Sequence, residues 1–114
     1  MRKQKNNKTA DKYTYRVVWS EEDQEHVGLC AEFPSLSWLE KSADDAFKGI
    51  RQLVAGCIQE MLEHKEPIPE PLSVHPYTGK FMVRVPPELH RSLAIQAAEQ
   101  KVSLNRFVSM RLGG

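Results

Sequence analysis

The residues best placed to do chemistry in this chain are two cations that alternate with apolar side chains on one short stretch. In 80–85, Lys80, Met82 and Arg84 fall on one side of a predicted strand and Phe81, Val83 and Val85 on the other, because successive side chains point to opposite faces. A lysine and an arginine on the same side of a strand can donate hydrogen bonds to base edges or phosphates. Met82 between them is limited to apolar contacts, such as one with a thymine methyl. Further on, Ser103-Leu104-Asn105 opens a helical pattern. Ser103 there reads as an N-cap, and the backbone donors of the first turn lie behind it.

Positioning these residues requires one strand and two helices. Pro86 and Pro87 end the alternation, since neither offers a ladder N–H and proline suits a first helical turn. Leu89, Leu93 and Ala97, with Ala94 and Ala98, then make a helical stripe, and Leu104, Phe107, Val108 and Leu112 make a second. A lone strand has no partner, and so small a core cannot offset chain entropy. The segment is therefore expected to dimerise, with strands of two chains pairing antiparallel. Phe81, Val83 and Val85 would be buried under the helices, and Lys80, Met82 and Arg84 would face outward as a ribbon that fits the DNA major groove. The same order also fits an ordinary amphipathic strand and helix pair in a larger core, with Arg84 merely solvated.

With these residues in view, 80–112 resembles a ribbon-helix-helix domain of the Arc/MetJ type. The resemblance implies that Lys80, Met82 and Arg84 read bases. It implies also that the backbone around Ser103, Leu104 and Asn105 grips a phosphate, where free N–H groups and the helix dipole favour an anion. Two positions depart from the pattern. Met82 stands where such domains often carry a polar residue, and Lys101 stands where glycine often precedes Val-Ser-Leu-Asn.

Composition bounds the remainder. A chain of 114 residues, 27% charged and 40% hydrophobic, fits one domain or two very small ones. No apolar run approaches the ~20 residues of a membrane span. The polar, basic first residues lack the apolar centre of a secretory signal, so a cytoplasmic location is expected. Cys30 and Cys57 have no metal-type spacing and read as buried thiols. The net charge of +1 hides a partition. Residues 1–16 carry six Lys/Arg against Asp11, residues 17–76 four against twelve Asp/Glu, and residues 77–114 six against two. A nucleic acid would be drawn to the ends and repelled by the middle, whereas an acidic middle suits a basic protein.

Taken in order, 1–12 reads as a flexible basic tail. Segments 13–20 and 26–33 alternate as a hairpin around the polar turn Glu21-Glu22-Asp23-Gln24, and Leu36-Ser37-Trp38-Leu39 makes a third extended piece. Ser42 reads as an N-cap with Asp45 three residues on. From there Phe47, Ile50, Leu53, Val54, Cys57, Ile58, Met61 and Leu62 keep helical spacing over 43–64. Three prolines in 67–71 stop that helix, 72–74 is a candidate closing strand, and 75–79 is a linker. The expected architecture is α+β. A ββ(β)αβ domain over 13–74 precedes the DNA-binding part over 80–114.

Three stretches of the first part carry a second resemblance: Glu32-Phe33-Pro34-Ser35-Leu36-Ser37, Ser42-Ala43-Asp44-Asp45-Ala46, and Glu66-Pro67-Ile68-Pro69. With them the chain resembles the HicB family, which joins a small, partly degenerate ribonuclease-H-like domain to a C-terminal DNA-binding domain. The resemblance implies an antitoxin that blocks a small basic messenger-RNA ribonuclease of the HicA type. It implies also a repressor that binds its own operator as a homodimer, with a tetramer possible through the N-terminal domains. A free-standing regulator with no toxin is the alternative.

An enzyme reading is disfavoured from the residues themselves. Ribonuclease-H chemistry needs carboxylates converging on Mg²⁺, with one inside the first strand, and 13–20 contains none. Glu21, Glu22 and Asp23 fall in a turn, Glu32 at a strand end, and Asp44 and Asp45 at a helix start. His26, His64, His75 and His90 are scattered without ligand spacing. No catalytic residue, metal or cofactor is expected, and Trp19 and Trp38 read as core or edge aromatics.

Overall fold

Alternating β-formers on either side of the polar run 21–24 set up the first element pair. The computed structural model describes residues 10–114. In it β1 (Tyr15–Ser20) and β2 (Glu25–Cys30) form an antiparallel hairpin, and β3 (Ser37–Glu40) adds to β2 to give the sheet order β1-β2-β3. The hairpin turn is fixed by side chains. Asp23 accepts from the Ser20 hydroxyl at 2.9 Å, and the Gln24 amide donates to the Glu21 carbonyl at 2.7 Å.

Helix α1 (Ala43–Glu63) starts at Ser42, whose Oγ accepts from the Asp45 N–H at 3.1 Å, with Asp44 and Asp45 favourably placed in the first turn. Ala46, Gly49, Ile50, Val54 and Ile58 are buried against the sheet. With Ala10, Tyr13, Cys30 and Phe33 the three branched residues of α1 make one core. The helix ends in a Schellman arrangement. Lys65 takes a left-handed φ of 55°, its N–H bonds to Leu62, and the Glu66 N–H bonds to Met61 at 2.8 Å. The prolines then prevent any continuation.

The register assigns the sheet faces. Val17 lies opposite Gly28, which lies opposite Trp38, and this line faces α1. In β2 it is therefore Gly28 and Cys30 that are buried, while Val27 and Leu29, the more apolar parity, point to the other side. Phe33 reaches the core because the chain turns after Cys30, with the Phe33 N–H bonded to the Cys30 carbonyl.

The closing strand expected over 72–74 does not form; these residues make a turn instead. Pro67, Pro69 and Pro71 remove the donors a ladder needs. Individual bonds hold the segment in place of a ladder: Tyr13 Oη donates to the Pro69 carbonyl, Ser73 Oγ to the Lys12 carbonyl, and Tyr77 Oη to the Leu72 carbonyl. The basic tail expected over 1–12 lies outside the described residues as far as residue 9. Ala10 is buried, its carbonyl accepts from Tyr15 Oη at 2.7 Å, and Asp11 pairs with Arg51. Those residues are thus held against the fold.

A second compact unit begins at Thr78. It contains α2 (Pro87–Glu99) and α3 (Leu104–Gly113), which pack on each other and bury Ala97 and Phe107. Lys101 joins them with φ 58°, again in a Schellman arrangement in which Lys101 bonds to Ala98 and Val102 to Ala97. A β-carbon in that conformation costs about 1 kcal/mol relative to glycine. Among the described residues the architecture is α+β, with β1–β3 in one antiparallel sheet and the helices α1, α2 and α3. Among the described residues no helix is long and apolar enough to cross a membrane.

Candidate nucleic-acid interface

Among the described residues, the segment 80–85 joins no sheet, and the strand expected there does not form within the single chain. Its apolar side chains are left in solvent, Phe81 at 75% and Val83 at 63% exposure, while Met82 on the opposite parity reaches 83%. Lys80 and Arg84 are exposed and make no ion pair among the described residues. Gly79, just before them, takes a φ of +83°, which favours glycine at the bend entering the segment.

At the other candidate position, Ser103 caps α3. Its Oγ accepts from the Arg106 N–H at 3.1 Å, and its carbonyl accepts from the Phe107 N–H at 2.9 Å. The N–H groups of Leu104 and Asn105 precede the first intrahelical bond and have no carbonyl of their own helix to reach. No acidic residue stands in this first turn, and Arg106 adds a cation. Among the described residues, no hydrogen bond or ion pair links Lys80, Met82 or Arg84 to Ser103, Leu104 or Asn105.

Several carboxylates of the N-terminal unit have local partners. Glu21 accepts from the Trp19 indole at 2.8 Å and Glu40 from the Trp38 indole at 2.9 Å, so each half-exposed tryptophan sits beside a negative charge. Burial pushes the Cys30 thiol up, which keeps it protonated as a donor to Glu32. Among the described residues no group of three His, Cys, Asp or Glu side chains is placed to hold a metal ion.

Glu32 has a role that sequence reading missed. One oxygen accepts from the Thr14 N–H at 2.9 Å, and the other from the Thr14 hydroxyl at 3.0 Å and the Leu72 N–H at 2.8 Å. It clasps Thr14, just before β1, to the proline-rich segment. Desolvation raises its pKa, but the donors from Leu72 and Thr14 outweigh this and hold it below the ordinary glutamate value. A lowered folded pKa means that the clasp contributes fully above the ordinary glutamate range and is lost as pH falls through the folded value. Glu32→Gln is expected to cost about 1–2 kcal/mol at pH 7, since an amide nitrogen cannot accept. The difference from wild type should shrink towards pH 3. Denaturant unfolding at the two pH values checks this, and an equal gap at both would refute the clasp.

The stretch from the end of α1 through the prolines, 80–85, α2 and most of α3 is also where the comparisons respond. Residues 63–112 match the HicB family model. No curated protein and no solved structure matches the chain. The HicB-matched stretch contains all six candidate DNA-contacting residues and the Glu66-Pro67-Ile68-Pro69 motif, whereas the motifs at 32–37 and 42–46 lie before it.

Proposed function

We propose that this chain is the antitoxin of a two-component toxin–antitoxin pair. In this reading the N-terminal unit binds and blocks a HicA-like ribonuclease, and the C-terminal unit represses the operon. The observation that carries the reading is the HicB match, which supports membership of that family and a toxin–antitoxin role. For the C-terminal unit, exposed Phe81 and Val83 alternating with Lys80, Met82 and Arg84 suit pairing with a second copy. Such pairing buries the apolar row and sends the cations towards the major groove. The uncommitted donors at the start of α3 suit a phosphate on the same DNA. For the N-terminal unit, the excess of carboxylates over 17–76 suits a basic partner, because opposite charge speeds encounter.

The test is an RNA-cleavage assay with a small basic HicA-family protein co-encoded with this chain. Adding the chain should abolish cleavage at a one-to-one ratio. Cleavage that continues at tenfold excess would remove the antitoxin role and leave the alternative, a free-standing regulator that dimerises on DNA.

A further inference from the structure

The sheet has two faces, and α1 covers one of them. On the other, register places Val18 opposite Val27 and Val27 opposite Leu39, an unbroken aliphatic row across all three strands. Leu29 continues it along β2, between Arg16 and Ser37. None of these four aliphatic residues belongs to the core, and the edge members Val18 and Leu39 are 38% and 39% exposed. An antiparallel sheet covered on one side ordinarily turns polar residues to water on the other. A contiguous aliphatic row on that side marks a contact surface.

We infer that this open face is where the N-terminal unit docks a basic protein surface; the inference rests on the antitoxin reading and deepens it. Charge selects the occupant. Residues 15–41 carry six carboxylates against Arg16 and Lys41, with Arg16 on the open face and Glu40 turned to the α1 side by the register. Glu25 lies on the open face itself, two residues from Val27, and Glu21, Glu22 and Asp23 fill the adjoining turn. Stacking a second copy on this face would set one acidic rim against another. A partner that presents Lys and Arg around an apolar centre meets the row with its centre and the rim with its cations, the usual anatomy of a specific interface. Val18, Val27 and Leu39 are then the binding centre, and Glu22 and Glu25 act chiefly on the rate of encounter.

The experiment measures binding of the co-encoded HicA-family protein by calorimetry and stopped flow, with circular dichroism reporting the fold. Val18→Glu and Leu39→Glu, both at exposed edge positions, should each weaken binding roughly thirtyfold or more. Glu22→Lys/Glu25→Lys, a surface change that does not touch the apolar row, should slow association and flatten its salt dependence. Gln52→Glu, on the exposed side of α1, should bind as wild type does. Should either row variant unfold, the rim variant decides alone. Wild-type affinity and rate in the folded open-face variants, or a loss confined to Gln52→Glu, would overturn the assignment of the face while leaving the antitoxin reading standing. Failure of the wild-type chain to bind at all would remove that reading, and this inference with it.

Discussion

Replacing Gly28 by alanine is expected to destabilise the N-terminal unit by about 3 kcal/mol, at the upper end of what over-packing costs. A β-carbon at Gly28 would stand 2.5 Å from the Ala46 carbonyl oxygen and 2.8 Å from Cβ and Cγ2 of Ile50. Neither neighbour can swing aside. One is helix backbone, and the other is a β-branched residue at the centre of the core. The helix would have to lift from the sheet, which opens the contacts of Ile50, Val54 and Ile58. Gly49 makes a useful comparison, since a β-carbon there meets the Trp38 ring. That ring is 37% exposed, so moving it gives up chiefly its solvent-accessible bond to Glu40, and alanine gains roughly 1 kcal/mol of helix propensity. Gly49→Ala should therefore cost far less. Thermal melts should separate the two by more than roughly 10 °C, given the 4–8 °C per kcal/mol of a small domain. Gly28→Ala melting within 2 °C of wild type would refute the close crossing of α1 over β2.

Val83→Asp is expected to abolish dimerisation altogether. Val83 is the central apolar residue of 80–85, flanked on its own side by Phe81 and Val85. In a paired ribbon, a two-fold axis brings two copies of this row together beneath the helices. The substitution places two carboxylates in that core, where an unpaired charge is far costlier than lost contact area. Light scattering should report a monomer for Val83→Asp and a dimer for wild type. Met82→Asp, on the outward parity, should remain a dimer. A dimeric Val83→Asp would show that association runs through some other surface.

Local signals in the sequence anticipated much of this fold. Ser42 and Ser103 cap the helices they were expected to cap, and α1 ends shortly before the prolines at 67–71, as expected. The Ile50, Val54 and Ile58 stripe packs against the sheet. These features need only a few neighbouring residues, so periodicity and composition expose them. Tertiary contacts overrode the local pattern elsewhere. In β2 the more apolar parity faces outward, because α1 crosses so closely that only Gly28 fits beneath it. Hydrophobicity alone cannot report that distance. The turn at 72–74 similarly depends on Glu32, Tyr13 and Lys12, none of which is near it in sequence.

The candidate interface was legible for a different reason. Lys80, Met82 and Arg84 alternate with Phe81, Val83 and Val85 in a segment where proline ends the strand pattern and sets the helix start, and that order needs no structure to be read. Phe81 and Val83 are left exposed in the single chain, and the proposed second strand would cover them. The row at Val18, Val27 and Leu39 was harder to see, since each residue comes from a different strand and only the register brings them together.

The most direct test of the central proposal is a salt-dependent titration of operator DNA upstream of the gene. It compares the wild-type chain with Lys80→Ala/Arg84→Ala, both verified as folded dimers. Wild type should prefer that DNA to random sequence, with affinity falling steeply as salt rises. The double variant should lose the preference while keeping weak, sequence-independent binding, because each guanine contact contributes about 1–3 kcal/mol of discrimination. A folded double variant that retains wild-type preference, or a wild-type chain that shows none, would contradict base readout by Lys80 and Arg84.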